Sequence, residues 1–175
     1  MPGRFNRRTA VKSIAGAPVL FTLLPSGLAR GYAANEKINV ALVGCGTRGR
    51  GLMEALGRIG ENLVAMCDVN EQRAARAYQM APNTPKKIDY RRMLDEQKDQ
   101  IDAVMVATSD HHHAPCSARA MKMGKPVYCE KPLTLSVQES RQIRQIARDT
   151  GVATQMGNQG TASNAFREQV EILQT

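Results

Sequence analysis

Short apolar runs alternate with segments of helical periodicity along most of the chain. Five runs of β-branched and small apolar residues predict strands at residues 38–43, 63–67, 103–107, 126–129 and 153–156. Apolar residues at helical spacing predict helices at residues 49–56, 71–80, 90–96, 114–123 and 136–149, and a last amphipathic segment from about residue 164. Ser136 and Glu139 fit a capping box, and residues 81–87 predict a loop because they contain Pro, Asn and Lys.

The order of these elements predicts the fold class. Strands that alternate with crossover helices indicate an α/β fold with a doubly wound parallel sheet, covered by helices on both faces. In such sheets, ligands bind beyond the carboxyl ends of the strands. We therefore expect the chemistry in the loops that follow Val43, Cys67, Ala107, Cys129 and Met156.

The first 34 residues differ from the rest of the chain in charge and pattern. They hold five basic residues and no acidic one, and the paired Arg7 and Arg8 precede a weakly apolar stretch that ends in small residues. This pattern predicts a twin-arginine (Tat) signal peptide at residues 1–34, and so an exported, periplasmic or extracytoplasmic protein. The alternative is a membrane anchor, but the stretch is shorter than the ~20 apolar residues of a span and contains two prolines.

The charge of the remaining chain is ordinary for a soluble domain. The 175 residues carry a formal charge of +8, of which only +3 belongs to residues 35–175. These residues contain four scattered aromatic side chains, too few for a base-stacking platform, so a nucleic-acid or membrane-surface role has little support. Their length suits one domain with one core.

Four cysteines, Cys45, Cys67, Cys116 and Cys129, show no CxxC spacing. Two of them end predicted buried strands, so small buried thiols are the favoured interpretation. We expect neither a disulfide framework nor a zinc site.

A GxGxxG motif, residues 44–49, lies between the first predicted strand and the first helix. In that position the glycines allow a tight turn, a close approach of backbone to pyrophosphate and packing of helix on strand. Asp68 ends the second strand, where it can accept hydrogen bonds from a ribose diol and would repel a 2′-phosphate. The pattern predicts a Rossmann dinucleotide site that prefers NAD to NADP, formed by Gly44, Gly46, Thr47, Arg48, Gly49 and Asp68. Arg48, Arg50 and Arg73 could reshape the ribose pocket.

Three adjacent histidines follow the strand at residues 103–107. Neighbours on a helix point about 100° apart and cannot converge on one ion, so no metal site is expected. Asp110 is interpreted as the N-cap of the next helix. His111 and His113 could face the cofactor, the alternative being a solvated loop.

Glu130, Lys131 and Pro132 follow the strand at residues 126–129. A lysine at this strand end would reach the nicotinamide half of the cleft, where it could hold or exchange the proton of a substrate hydroxyl. A surface salt bridge between Lys131 and Glu130 is an equally good interpretation of these residues alone.

Together these motifs resemble the Gfo/Idh/MocA family, which is named for glucose–fructose oxidoreductase, inositol dehydrogenase and rhizopine catabolism. The resemblance covers residues 36–175 and is closest to the exported bacterial branch. It implies hydride transfer between a sugar or polyol and a nicotinamide cofactor, with Lys131 as the catalytic group. Further residues matching the family pattern would line the dinucleotide or its nicotinamide pocket: Thr108, His113, Glu130, Gln155 and Asn158. Ser109 stands where the family usually has proline.

The resemblance also implies a division of the chain into a Rossmann domain at residues 35–160 and the start of a second domain at residues 161–175. The second domain of the family closes the cleft, supplies a catalytic histidine and builds the homo-oligomer. Without it we expect this chain to bind a dinucleotide but to be inactive. Two alternatives remain: a dinucleotide-binding module with no catalysis of its own, and an NAD-dependent glycosidase, against which the intact Glu-Lys-Pro counts.

Overall fold

The computed structural model describes residues 37–174. The predicted export signal therefore lies outside the described residues. Six parallel strands form one sheet in the order β3-β2-β1-β4-β5-β6. The strands are β1 (Asn39–Val43), β2 (Asn62–Cys67), β3 (Lys86–Lys87), β4 (Ala103–Val106), β5 (Val127–Glu130) and β6 (Thr154–Gly157). The helices are α1 (Thr47–Ile59), α2 (Glu71–Met80), α3 (Tyr90–Glu96), α4 (His113–Lys122), α5 (Val137–Thr150) and α6 (Asn164–Gln174).

The parallel α/β sheet predicted from the sequence is confirmed, with one strand added. Lys86 and Lys87 lie in the predicted loop but pair with Met66 and Cys67 as an edge strand. Two polar residues are too short a run to show a hydrophobic period, so the pattern could not reveal this strand. The predicted capping box at the start of α5 is present, with Ser136 and Glu139 bonding each other's backbone N–H groups.

Alternate side chains of the central strands pack on opposite faces of the sheet, because successive residues of a strand point to opposite sides. On one face, Leu42 and Met66 meet apolar residues of α1 and α2. On the other face, Val43, Val104 and Val106 meet α3, α4 and α5. Both faces are therefore covered, as the continuous apolar character of the strands requires.

The strand order reverses at β1, which has β2 on one side and β4 on the other. The helix after β1 covers one face and the helix after β4 covers the other. The loops that leave these two strands therefore diverge and open a crevice at the carboxyl edge, the place where open α/β sheets bind ligands.

All four cysteines are buried and free, which confirms their interpretation as buried thiols. Burial raises the pKa of Cys45 and of Cys67 to about 12, with a smaller contribution from the nearby Asp68 carboxylate. Within residues 37–174, no helix combines the length and apolar character that a membrane-spanning helix requires.

Candidate functional site

The glycine loop, residues 44–49, turns the chain from β1 into α1. Gly44 has φ 90°, and a Cβ at this position would lie 2.5 Å from the Ala107 carbonyl carbon and 2.7 Å from Thr108 N. Only glycine allows the backbone of the loop to come this close to the end of β4. At Gly46, by contrast, a Cβ would meet no atom within 4 Å. The loop is thus closed toward the sheet and open toward the crevice.

Helix α1 begins at this loop without a side-chain cap. Its N-cap is Gly46, and its first turn contains no acidic residue. Helices α2, α3 and α5 are instead capped by Asn70, Asp89 and Ser136. The first N–H groups of α1 and the positive end of its dipole are therefore free to bind an anion.

Asp68 connects the end of β2 to the glycine loop. Its Oδ2 accepts a hydrogen bond from Cys45 N (2.7 Å), and its Oδ1 accepts one from Asn70 N (2.8 Å). Each carboxylate oxygen keeps a further lone pair, so the half-buried side chain can still accept hydrogen bonds from a ribose diol. Open space at Gly46, the uncapped start of α1 and the anchored Asp68 together fit a dinucleotide.

The lysine turn, residues 130–132, leaves β5 and begins with a buried carboxylate. The side chain of Glu130 is only 6% exposed, and its Oε1 lies 2.7 Å from Arg48 Nη2. The Tyr128 hydroxyl donates a second hydrogen bond to the same oxygen (3.0 Å). The bond to Glu130 raises the pKa of Arg48. Arg48 was predicted at the cofactor; the structure directs its guanidinium to Glu130 and leaves its backbone in the first turn of α1.

Gly157 of β6 makes room for this buried cluster. It pairs with Glu130 across the sheet. A Cβ on Gly157 would lie 2.6 Å from the Tyr128 hydroxyl and 2.7 Å from Glu130 Oε1. Sequence reasoning missed the role of Tyr128 altogether, and the alternation of side chains along β5, which puts Tyr128 and Glu130 on one face, was the only signal for it.

Lys131 is exposed at the end of β5, and the peptide bond between Lys131 and Pro132 is cis. The alternative interpretation, a surface salt bridge with Glu130, is wrong: the Glu130 carboxylate is buried and pairs with Arg48. Among the residues that the structure describes, Lys131 forms no ion pair. Its ammonium group is thus free to meet a ligand.

His113 lies between the loops that follow β4 and β5. It is 1% exposed, with Nδ1 2.6 Å from the Pro132 carbonyl oxygen and Nε2 3.1 Å from that of Thr108. The ring therefore joins the two loops, and any influence on a bound dinucleotide would pass through them. A neutral imidazole can donate to only one of these two oxygens.

The neighbours of His113 behave differently from expectation. Asp110 does not cap α4: it begins a 3₁₀ turn, Asp110–His112, and the N-cap of α4 is His112. The extra turn moves Asp110 away from the first N–H groups of α4. His111 is exposed, and its ring packs edge-on against that of His112. In the described part of the chain, no group of three or more His, Cys, Asp or Glu side chains could hold a metal ion.

The remaining predicted residues make local contacts. Thr108 Oγ1 donates to the Ser109 carbonyl, and Asn158 Nδ2 donates to Thr161 Oγ1. Gln155 bonds the Met156 carbonyl and lines an apolar groove of about 410 Å³ between α5 and β6. Within residues 37–174, the side-chain hydrogen bonds of Gln155 and Asn158 go to Met156 and Thr161 and not to the glycine loop.

Residues 38–158 match the family model described as an oxidoreductase family with an NAD-binding Rossmann fold, Gfo/Idh/MocA. The chain belongs to this family. Its glycine loop and Asp68 are thus parts of an NAD-binding Rossmann domain, and the resemblance seen in the sequence is confirmed.

Individual relatives of this Gfo/Idh/MocA chain carry different names. A glycosyl hydrolase family 109 protein of Stenotrophomonas maltophilia is 29% identical over 157 residues, covering 83% of this chain and 34% of that protein. Inositol 2-dehydrogenase 2 of Saccharopolyspora erythraea is 34% identical over 98 residues, or 55% of this chain and 28% of that protein. The chain therefore spans about a third of the length of these curated relatives.

Among solved structures, GenD2 from gentamicin A biosynthesis, crystallised in complex with NAD, is similar to this chain with a TM-score of 0.70 and 27% identity. The match covers 86% of this chain and 42% of GenD2. It supports NAD as the dinucleotide that this family fold holds.

Proposed function

We propose that this chain is the nucleotide-binding part of an NAD-dependent oxidoreductase that transfers a hydride between a sugar or polyol and the nicotinamide ring. The observation that carries the proposal is that Lys131 is exposed and forms no ion pair within residues 37–174. It follows β5 at the sheet edge where the glycine loop leaves β1. Parallel strands bring both groups to one crevice although they are far apart in sequence.

Each residue has a distinct task in this proposal. The N–H groups at the start of α1 bind the pyrophosphate above Gly46, and Asp68 accepts hydrogen bonds from the adenosine ribose. Bound NAD supplies the ring that takes up or returns a hydride. In its neutral amine form, Lys131 Nζ accepts a hydrogen bond from the reacting hydroxyl and takes its proton during oxidation; the ammonium so formed returns that proton in the opposite direction.

Two features support NAD over NADP. Asp68 follows β2, the position that meets the adenosine ribose in this fold, and its carboxylate would repel a 2′-phosphate. The guanidinium of Arg48, a candidate partner for that phosphate, is engaged by Glu130.

A second candidate is a glycosidase that uses bound NAD for transient oxidation. The observation in its favour is the family 109 relative, which matches 83% of this chain. Both candidates use the same dinucleotide site, so only the substrate distinguishes them.

Two assays on the full chain and its Lys131→Met variant test the proposal. In the first, each protein is incubated with NAD and a panel of sugars and polyols, and NADH absorbance is measured. In the second, it is incubated with a panel of nitrophenyl glycosides, and nitrophenol release is measured. Because the second domain completes the cleft in this proposal, the same panels are run on the chain expressed together with any downstream reading frame, where NADH formation that Lys131→Met abolishes is the expected result. Release of nitrophenol without net NADH would favour the glycosidase. NAD binding without either product would leave the dinucleotide-binding module as the function of this polypeptide.

The proposal has three further parts. Residues 161–175 begin a second domain that completes the cleft, homo-oligomers form only when that domain is present, and residues 1–34 direct export through the Tat route. Expression of the gene together with any downstream reading frame, followed by size-exclusion chromatography and cell fractionation, tests all three.

A further inference from the structure

The lysine turn is held on both sides of Lys131 by elements other than its own strand. On one side, Glu130 Oε1 lies 2.7 Å from Arg48 Nη2 in the first turn of α1. On the other side, the Pro132 carbonyl oxygen lies 2.6 Å from His113 Nδ1 in the first turn of α4. Lys131 itself has no such tie in the described chain, so its position depends on its two neighbours.

The contact between Arg48 and Glu130 is more than a surface ion pair. The Glu130 side chain is 6% exposed, whereas that of Arg48 is 42% exposed. A buried carboxylate needs a cation and hydrogen-bond donors to offset the loss of its hydration. Arg48 and the Tyr128 hydroxyl supply these, and Gly157 leaves the space for them. The carboxylate is therefore fixed in one place.

Arg48 also belongs to the glycine loop. Its backbone lies where a helix N-terminus meets a pyrophosphate, while its side chain reaches the lysine turn 82 residues further along the chain. One residue thus joins the part of the site that would hold the phosphates to the part that would hold the reacting hydroxyl.

We infer that Arg48 is a positioning residue: its side chain does not bind phosphate but ties the lysine turn to the glycine loop, and His113 holds the same turn from the opposite side. This inference rests on the proposed function, because it gives Lys131 a place beside the nicotinamide. It goes beyond that function by naming the contacts that couple dinucleotide binding to the order of the turn.

Hydrogen exchange of the full chain, followed by mass spectrometry of the peptide around Lys131, tests the coupling without any turnover. In Arg48→Met we expect exchange at the lysine turn to rise about tenfold, because the turn opens more easily. Arg58→Met is the matched control, since it removes an exposed arginine from the last turn of the same helix. Glu130→Gln should give the same rise, and the double variant should add little to either change.

Calorimetric titration with NAD distinguishes positioning from phosphate binding. In Arg48→Met the affinity should fall by less than about threefold, since the backbone N–H groups remain, and a loss above about tenfold would overturn the inference. In the hydrogen-exchange experiment, Arg48→Lys keeps a cation at this position. It should therefore restore much of the protection of the lysine turn that Arg48→Met loses.

Acetylation of Lys131 provides a third measurement, with Lys125 as the internal reference. NAD should slow acetylation of Lys131 in the unaltered chain and should slow it less in Arg48→Met. Equal protection in both chains would overturn the inference alone. No protection in the unaltered chain would overturn the proposed role of Lys131 and, with it, the inference.

His113→Gln tests the opposite tie, because both N–H donors of the glutamine amide are on one nitrogen, which cannot span the two carbonyl groups as the imidazole ring does. We expect faster exchange at the lysine turn and at Thr108 together. Faster exchange at Thr108 alone would remove His113 from the inference.

Discussion

The glycine loop and the lysine turn meet at the same edge of the sheet, but different kinds of contact hold them in place. The glycine loop is formed by backbone groups and by missing Cβ atoms, and its neighbours are the ends of β2 and β4. The lysine turn is held by side chains, Arg48 and His113, from two distant segments. A backbone site tolerates side-chain changes but no added Cβ atom where the loop touches the sheet, at Gly44. A side-chain site should instead respond to each partner separately.

The largest loss of stability is expected at Gly44, where the glycine loop touches the end of β4. Gly44→Ala should destabilise the chain by roughly 3–4 kcal/mol, because it combines a positive φ with a Cβ driven into the backbone of β4. Gly60→Ala is the matched control: its φ is 83°, but no atom lies within 4 Å of the added Cβ. That control should cost only about 1 kcal/mol in urea unfolding. Equal costs would show that close approach to β4 is unimportant.

A smaller effect is expected at the edge of the side-chain site. Gly157→Ala places a Cβ 2.6 Å from the Tyr128 hydroxyl and should cost about 2 kcal/mol through overpacking. Tyr128→Phe in the same chain should recover part of this loss. Gly160→Ala, where no atom lies within 4 Å, should stay within about 0.5 kcal/mol of the unaltered chain. Chemical denaturation of the four chains measures the comparison.

The ion pair between the two regions should contribute less again. Arg48→Met leaves Glu130 buried with the Tyr128 hydroxyl as its remaining hydrogen-bond donor, and should cost about 1–2 kcal/mol because the arginine is partly exposed. The double variant with Glu130→Gln should lose less than the sum of the single variants. Additive losses would mean that the two regions are held independently.

The smallest effect concerns pH. The pKa of Cys45, raised by burial to about 12, exceeds that of an unfolded thiol, about 8.5. The neutral thiol therefore adds stability below pH 8.5, and this contribution is lost as the pH rises through that value toward 12. Raising the pH from 7 to 9 should lower the free energy of unfolding of both chains. The unaltered chain should lose about 1 kcal/mol more than Cys45→Ala, because only it carries this thiol. Parallel pH profiles would contradict the burial of this thiol as the cause.

The two regions also differ in how far their sequence revealed them. The glycine loop was predictable because its spacing, its place between a strand and a helix and Asp68 at the next strand end are all local patterns. The alternating elements likewise predicted the sheet and both of its faces. Among the strands that the structure describes, only β3 was not predicted, because two lysines are too short a run to show a hydrophobic period.

The lysine turn could be located from sequence, but its contacts could not. Arg48 and Glu130 are 82 residues apart, and nothing local indicates that they meet. The same holds for His113, which the sequence suggested as a cofactor neighbour and the structure places between the loops that follow β4 and β5. Pairing of this kind depends on the strand order, which hydrophobic periodicity alone does not give.

The most direct test of the account is calorimetric titration of the full chain with NAD, repeated for Asp68→Ala. Asp99→Ala is the control, because Asp99 is exposed and lies before β4, away from the crevice. We predict that NAD binds more tightly than NADP, that Asp68→Ala weakens NAD binding by about tenfold or more, equivalent to about 1.4 kcal/mol, and that the control binds normally. Unchanged NAD affinity in Asp68→Ala would contradict the proposed placement of the dinucleotide.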